Sequence, residues 1–516
     1  MSDQSLWRNL YRFGFSFLLL LSTQVLGAGL ELNQHGVKEL GQGFAGTAVL
    51  LEDASAIAHN PAGLVGLPDR QFSGAITGIH ASLDYNADFL REKVEHQYGL
   101  EPTRIRGPNQ GRSRDLSVIP ALYYSHRLNE DAAVGLGVYA AFGSASKFPE
   151  NWAGRFHAIE TEQSAININP SAAFQATEQL AVGLGMVIQT YEAHLTNRVD
   201  VSYLAAESVI QSVEETEDRG TAEDVARDVL EQLGRSDELD ISNEIELDSI
   251  AFGFNFGLLW ELDSRTRLGL NYRSRTTHLA TGRALRPELA TEELREQYLD
   301  NLARRIDELT QVGFEEARRD SEAAVDERGA LGGRIQARIT LPEIATLSLG
   351  RALNNQWDLM ASLTWVNWRL LDEVRLENSD RSSRGGSDIT ESGDDVRRRD
   401  LVQPLEFEST LRYGLGVRYQ FSDHLSLRAG ASYDESPLSN PEFRTPRGPD
   451  NDRLIAGLGL SYAVSRQLGM DLAYARIHIR SSRTEARENP SGTLHRASGS
   501  ARGHIDNLGV QLNYRF

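Results

Sequence analysis

The chain has 516 residues, 53 Lys and Arg against 73 Asp and Glu, a formal charge of −20, and no Cys. That balance argues against a nucleic-acid partner, because a phosphate backbone rewards a basic surface, and without thiols there is no disulfide, no thiol catalysis and no Cys-based metal site. The 45 Gly and slightly negative mean hydropathy suit a barrel in which only alternate strand residues meet lipid.

Taken from its start, the chain opens with Arg8 and Arg12, an apolar run over 13–21 and small residues at Gly27 and Ala28. This pattern predicts a secretory signal peptide over 1–27. No later apolar run reaches the ~18 residues a spanning helix needs. A membrane fold in this chain is therefore a closed β-barrel, because lipid offers unpaired backbone groups no partner. Residues 28–69 do not alternate and are rich in small residues (Gly41, Gly43, Ala45, Gly46, Ala48), so they are expected to pack as a hatch inside the lumen of a barrel formed by 70–516. Gly41 to Gly46 match GxGxxG, but no strand precedes them and no βαβ unit surrounds them; close packing explains these glycines better than a dinucleotide does.

From residue 70 the apolar residues recur with period two, which marks strands with two unlike faces. Fourteen antiparallel strands are predicted near 70–82, 115–128, 131–143, 163–176, 180–197, 249–262, 265–282, 333–351, 356–377, 406–421, 424–433, 453–464, 467–481 and 503–516. The last is the clearest, with Leu508, Val510, Leu512, Tyr514 and Phe516 on one face and Asn507, Gly509, Gln511, Asn513 and Arg515 on the other. Very short connections such as Asn129-Glu130 and Ser422-Asp423 contrast with loops of dozens of residues, the asymmetry of an outer-membrane barrel. Trp260, Tyr272, Trp365, Trp368, Phe421 and Tyr433 fall at strand ends, where interfacial aromatic girdles are expected.

The long loops at about 200–248 and 283–332 carry helical patterning. Val225, Val229 and Leu233 predict a helix over 222–233 with Thr221 as cap and Gly234 as stop, and Leu294, Tyr298, Leu302, Ile306 and Leu309 form one stripe of a helix over 288–316 with Pro287 at its start. The loop 379–403 is a polar mixture of Gly, Ser, Asp and Arg. No GxSxG elbow, HExxH pair or metal-spaced histidine cluster is present, so neither catalysis, nor a metal, nor another cofactor is expected.

Several motifs fall in order along the chain: Asn60-Pro61-Ala62, Trp152-Ala153-Gly154-Arg155-Phe156, Ile168-Asn169-Pro170-Ser171, Tyr272-Arg273-Ser274, Leu341-Pro342-Glu343, Thr364 to Trp368, Asp434-Glu435-Ser436-Pro437 and the terminal Tyr514-Arg515-Phe516. In these the sequence from Ala28 onward resembles the FadL family of outer-membrane long-chain fatty acid transporters. The resemblance implies a fourteen-stranded barrel, a lumenal hatch gated through Asn60, Pro61 and Ala62, and a wall opening at a kinked third strand near Ala141, Phe142 and Gly143. It also implies an inner pocket whose basic side chains hold an acid headgroup. Arg198 matches one such position; Gln403 stands at the second, with Arg399 just upstream. The implied function is passive, ligand-gated uptake of long-chain fatty acids by a monomer in the bacterial outer membrane, in contact with outer-membrane lipid and lipopolysaccharide. The neutral Gln403 keeps aromatic or aliphatic hydrocarbons open as cargo. A lipid-hydrolysing barrel and an adhesive or structural barrel are the readings from other classes.

Overall fold

A computed structural model describes residues 31–378 and 401–516, apart from 93–94, 96, 217–222, 225, 228, 231–238, 324, 326–332 and 487–494. The predicted signal peptide, Arg399, most of the polar loop, and Thr221, Val225, Leu233 and Gly234 lie outside the described residues.

The barrel is inside out relative to a soluble protein. On the final strand Leu508, Val510, Leu512 and Tyr514 are exposed to the lipid side, whereas Asn507, Gln511 and Asn513 are buried in the lumen. The same alternation builds fourteen antiparallel strands: β1 (Arg70–Arg91), β2 (Gln110–Arg127), β3 (Ala132–Lys147), β4 (Glu160–Thr177), β5 (Leu180–Val199), β6 (Ile241–Asp263), β7 (Thr266–Arg273 and Thr276–Leu285), β8 (Gly333–Leu341 and Ile344–Ala352), β9 (Trp357–Val366 and Glu373–Asn378), β10 (Leu401–Pro404 and Thr410–Gln420), β11 (Leu425–Asp434), β12 (Arg453–Ala463), β13 (Leu468–Ala486) and β14 (His495–Arg515). Pairing of β1 with β14, from Gln71↔Arg515 to Arg91↔His495, closes the sheet into a barrel. Among the described residues no helix is long and apolar enough to cross a membrane.

Several strands outrun their predicted limits on the long-loop side. β1 continues to Arg91 and β6 begins at Ile241. Beyond the lipid the pattern reverses: the outer face of β1 turns polar at His80, Asn86 and Asp88 while Leu83, Tyr85, Ala87 and Phe89 face the lumen, so the lipid-facing apolar row that marked the strand ends earlier than the strand does. A second difference lies in β7 to β10, four neighbours of which β7, β8 and β9 are each predicted to be continuous and β10 is predicted from 406 without its upper segment. They break at 274–275, 342–343, 367–372 and 405–409. Pro342 has no N–H for the ladder. A side chain takes one freed backbone group, Phe254 N donating to Ser274 Oγ (2.9 Å), and side chains tie the breaks to one another, Asn367 Nδ2 donating to Glu343 Oε1 (2.8 Å) and Tyr272 OH to Glu343 Oε2 (2.7 Å). Trp368, expected in an outer girdle, sits in a 3-10 turn within the β9 break. It is buried in the lumen, edge-on to Phe142 (6.4 Å) and Phe407 (6.0 Å).

The long loops pack on one another through a separate apolar core that includes Tyr203, Leu204, Val229, Leu302 and Ile306. One member, the helix α3 (Val201–Thr216), lies outside the helices predicted from the sequence. The helix predicted over 288–316 is two, Glu292–Thr310 and Phe314–Ala323, parted where Gln311 (φ 56°) and Gly313 (φ 98°) enter the left-handed region. Its buried face is Leu299, Leu302 and Ile306; Leu294 is exposed, and Thr291, whose side chain accepts from Leu294 N at 3.2 Å, is the N-cap. Pro287 belongs to the preceding 3-10 turn.

Candidate functional site: a hatch, a lumenal cavity and a gap in the wall

The hatch is seated by small residues on both sides of the contact. Residues 31–69 form the helices α1 (Val37–Gly41) and α2 (Ala56–His59) and a 3-10 turn over Pro61–Gly66. Asn60 is fully buried. Its Oδ1 accepts from Ala62 N (3.1 Å), and its Nδ2 donates to the carbonyls of Ala48 and of Leu258 on β6 (both 2.9 Å), so one amide both caps a turn and clamps hatch to wall. Pro61 occupies the first turn position, where no N–H is needed. Wall glycines admit this turn: a Cβ on Gly257 would overlap Asn60 Oδ1, and one on Gly183 would overlap Ala62 N. The GxGxxG run is packing as well, with Gly43 (φ +57°) against Gly430 and Gly46 (φ +70°) against Met360.

Charges fasten the other side of the hatch. Lys38 Nζ lies 2.9 Å from Asp53, and Glu52 takes Arg418 (2.6 Å) and Arg428 (2.7 Å) from the wall. Glu39 and His59, 3.8 Å apart, behave differently: burial pushes the Glu39 carboxyl up to about 8 and the His59 imidazole down to about 3, so both are neutral at pH 7. The consequence has a definite sign. Between pH 6.5, where a released His59 loses its proton, and about 8, Glu39 stays protonated when seated but ionises when released. Seating is therefore expected to weaken as pH rises through that window and to level off above it. Protease access to the hatch against pH would show it, and Glu39→Gln is expected to flatten the profile.

Above the hatch lies an apolar cavity of about 1530 Å³, counting its open mouth. Strands contribute Leu83, Tyr191, Leu195, Ile245, Leu247 and, from the upper segment of β10, Gln403, and the β10 break contributes Leu405 and Phe407. Another part of the wall is the loop 435–452, which folds inward where the upper segments of β10 and β13 have no strand between them. Arg444 holds it there, donating to the carbonyls of Arg483 (2.7 Å) and Leu438 (2.6 Å). The loop carries Arg447 and Asp450 to the cavity. Arg447 crosses to β4 and β5, donating to Thr161 Oγ1 (3.1 Å), Asn197 Oδ1 (3.3 Å) and the carbonyls of Glu160 (3.3 Å) and Thr196 (3.4 Å). Among the described residues no carboxylate lies within ion-pair distance of it, and burial lowers its pKa. Burial also pushes the Asp450 carboxyl up to about 6.

The residues expected to hold a headgroup are thus divided. Gln403 lines the cavity, its Nε2 on the Pro404 carbonyl (3.1 Å). Arg198, at the end of β5, lies outside the lining and pairs with Glu288 (3.1 Å) and Glu150 (3.8 Å). Arg447 escaped the sequence reading because its loop has no periodicity; the only signal was a cation flanked by Pro446, Gly448 and Pro449.

The barrel wall is incomplete beside the cavity. The ladder between β2 and β3 covers only Ala121–Arg127 with Ala133–Tyr139. Beyond it the upper part of β2 pairs with β1 alone and that of β3 with β4 alone. β3 bulges at Ala141, where the register against β4 slips between Ala140 and Phe142, while Gly143 pairs regularly with Ser164. The Ala141 carbonyl accepts instead from Leu32 N of the hatch segment (3.0 Å), and the Glu31 side chain continues to Arg412 on β10 (3.2 Å). Phe142, Trp368 and Phe407 form an aromatic line from the bulge to the cavity.

A family profile described as "Outer membrane protein transport protein (OMPP1/FadL/TodX)" matches residues 18–516. The chain is 26% identical over 508 residues to the "Putative outer membrane protein NMB0088" of Neisseria meningitidis serogroup B, covering 97% of this chain and 98% of that one. It is 23% identical over 468 residues to the "Long-chain fatty acid transport protein" of Escherichia coli K12, covering 89% and 90%. In fold it is similar to the crystal structure of a Pseudomonas aeruginosa FadL homologue, with TM-score 0.74, 20% identity and coverage of 95% and 100%.

Proposed function

This chain belongs to the OMPP1/FadL/TodX family of outer-membrane transport proteins, and from that premise we propose that its cargo is a long-chain fatty acid, taken up passively as a monomer and released sideways through the wall. The observation that carries the reading is an apolar lumenal cavity holding a guanidinium that no described carboxylate neutralises. Burying about sixteen methylenes at ~0.8 kcal/mol each exceeds the roughly 8 kcal/mol that micromolar binding needs, even after association costs. The carboxylate cannot be left dry, and Arg447, with Gln403 beside the same space, gives it charge-assisted donors. Asn60, Pro61 and Ala62 seat the gate below. From the cavity the line Phe407, Trp368, Phe142 leads to the unpaired stretch of β2 and β3, which opens on lipid rather than on the periplasm.

The lateral exit is tested by deleting Ala141, which brings Ala140 and Phe142 into one register against β4. Uptake of labelled oleate is expected to fall by about tenfold or more while oleate binding to the purified protein persists, separating exit from capture. Unchanged uptake would contradict the wall route. A second reading, hydrocarbon uptake by the same path, is favoured by the neutral Gln403 in a cavity lined mostly by apolar side chains.

A further inference from the structure

On the outward face of β1, β2 and β14 the side chains change character at one level. Ile76, Leu116 and Leu508 are exposed to lipid. One strand step toward the long loops, Arg114 follows Leu116, and two steps on Arg112 follows as well, each step being about 6.8 Å. Asp84 of β1 lies opposite Arg112 on one side and Arg502 of β14 on the other. Three guanidinium groups converge on that single carboxylate: Arg114 at 2.8 Å, Arg112 at 3.5 Å and Arg502 at 3.8 Å. Three cations face one anion, and the arginine side chains remain 43%, 69% and 79% exposed. Each guanidinium has five N–H donors; Arg114 also places Nη1 on the carbonyls of Leu83 (3.1 Å) and Ser113 (2.9 Å), and the exposed forks of Arg112 and Arg502 hold more donors than one carboxylate can accept. The cleft lined by Asp84, Arg112 and Arg502, with Arg114 beside it on Asp84, is also walled by Asn86, Gln110, Ser481 and Ser500, neutral donors and acceptors suited to hydroxyl groups.

We propose that this cleft binds the phosphate of an outer-leaflet phosphoglycolipid, with its acyl chains against Leu116, Ile76 and Leu508. The phosphate supplies the charge that Asp84 leaves unmatched and accepts paired N–H bonds from arginine. The sugar hydroxyls meet Asn86, Gln110, Ser481 and Ser500. A lipid is the source, because a free ion on side chains this exposed gains little against water and salt, whereas acyl chains lying on the adjacent apolar band add burial and hold the phosphate at this height. The site is on the outer wall, apart from the cavity that takes the cargo.

The test uses the full chain purified in detergent micelles, titrated with lipid A by native mass spectrometry. Substituting Arg112→Gln, Arg114→Gln and Arg502→Gln together is expected to weaken lipid A binding at least tenfold, and dephosphorylated lipid A is expected to bind no better to the unaltered protein than lipid A does to this variant. Asp84→Asn, which removes the competing carboxylate, is expected to strengthen binding, a gain that a misfolded barrel cannot produce. Retention of affinity by the triple variant would overturn the proposal, as would equal binding of the dephosphorylated lipid. Full displacement by millimolar inorganic phosphate would reduce the site to one for a free ion and overturn the lipid assignment.

Discussion

Exchange of Arg447 for methionine is expected to weaken binding of a long-chain carboxylate by about ten- to a hundredfold while leaving a fatty alcohol of equal length nearly unaffected. Methionine keeps the apolar stem and removes the charge. A hydrogen bond to a charged group is worth about 1.5–3 kcal/mol. In the unliganded protein Arg447 rests on four neutral oxygens at 3.1–3.4 Å, so a ligand carboxylate competes with carbonyls and an amide rather than with an acid. Fluorescence displacement of a bound fatty-acid analogue separates the two ligands. Equal loss for acid and alcohol would mean that Arg447 only props the loop 435–452 in place.

A valine at Gly183 or Gly257 is expected to unseat the hatch. The clash at these positions is not with a side chain able to swing aside. At Gly183 it is with the backbone of Pro61 and Ala62, and at Gly257 with Asn60 Oδ1, itself fixed by hydrogen bonds to Ala62 N and, through its Nδ2, to two carbonyls. Overpacking of this kind costs about 3 kcal/mol or more, enough to shift a seated-to-released ratio by roughly a hundredfold. The variants are expected to raise ion conductance in planar bilayers. Gly469→Ala, where no atom lies within 4 Å of the added methyl, is the control expected to leave conductance unchanged. Wild-type conductance from the valine variants would mean that the hatch yields without opening a path.

How much of this was legible follows from where water and lipid impose unlike faces. β14 was readable residue by residue, because Leu508 to Tyr514 face lipid while Asn507 to Asn513 face a polar lumen. Its outer extension from His495 was not, since neither face there is apolar enough to set a period. The motifs that carried the family resemblance mark the irregular places. Tyr272-Arg273-Ser274, Leu341-Pro342-Glu343 and the run ending in Asn367-Trp368 coincide with the breaks of β7, β8 and β9. Asn169 of the Ile168 to Ser171 motif donates to Asn255 on β6 (3.1 Å), whose Nδ2 in turn donates to the Ile57 carbonyl of the hatch (3.0 Å). Such residues break a local rule for a tertiary reason, which explains why they stood out in sequence while their roles did not. Arg447 is the opposite case: the fold of a loop, not any pattern within it, brings it to the cavity.

The measurement that bears most directly on the account is uptake of labelled oleate and labelled toluene by cells lacking their own transporter and expressing this protein or its Asn60→Ala, Pro61→Ala variant. The account requires oleate uptake above background that the hatch substitutions change, with toluene no better carried. Toluene uptake without oleate uptake would contradict the fatty-acid assignment and move the cargo to hydrocarbons, and uptake of neither would contradict transport of both.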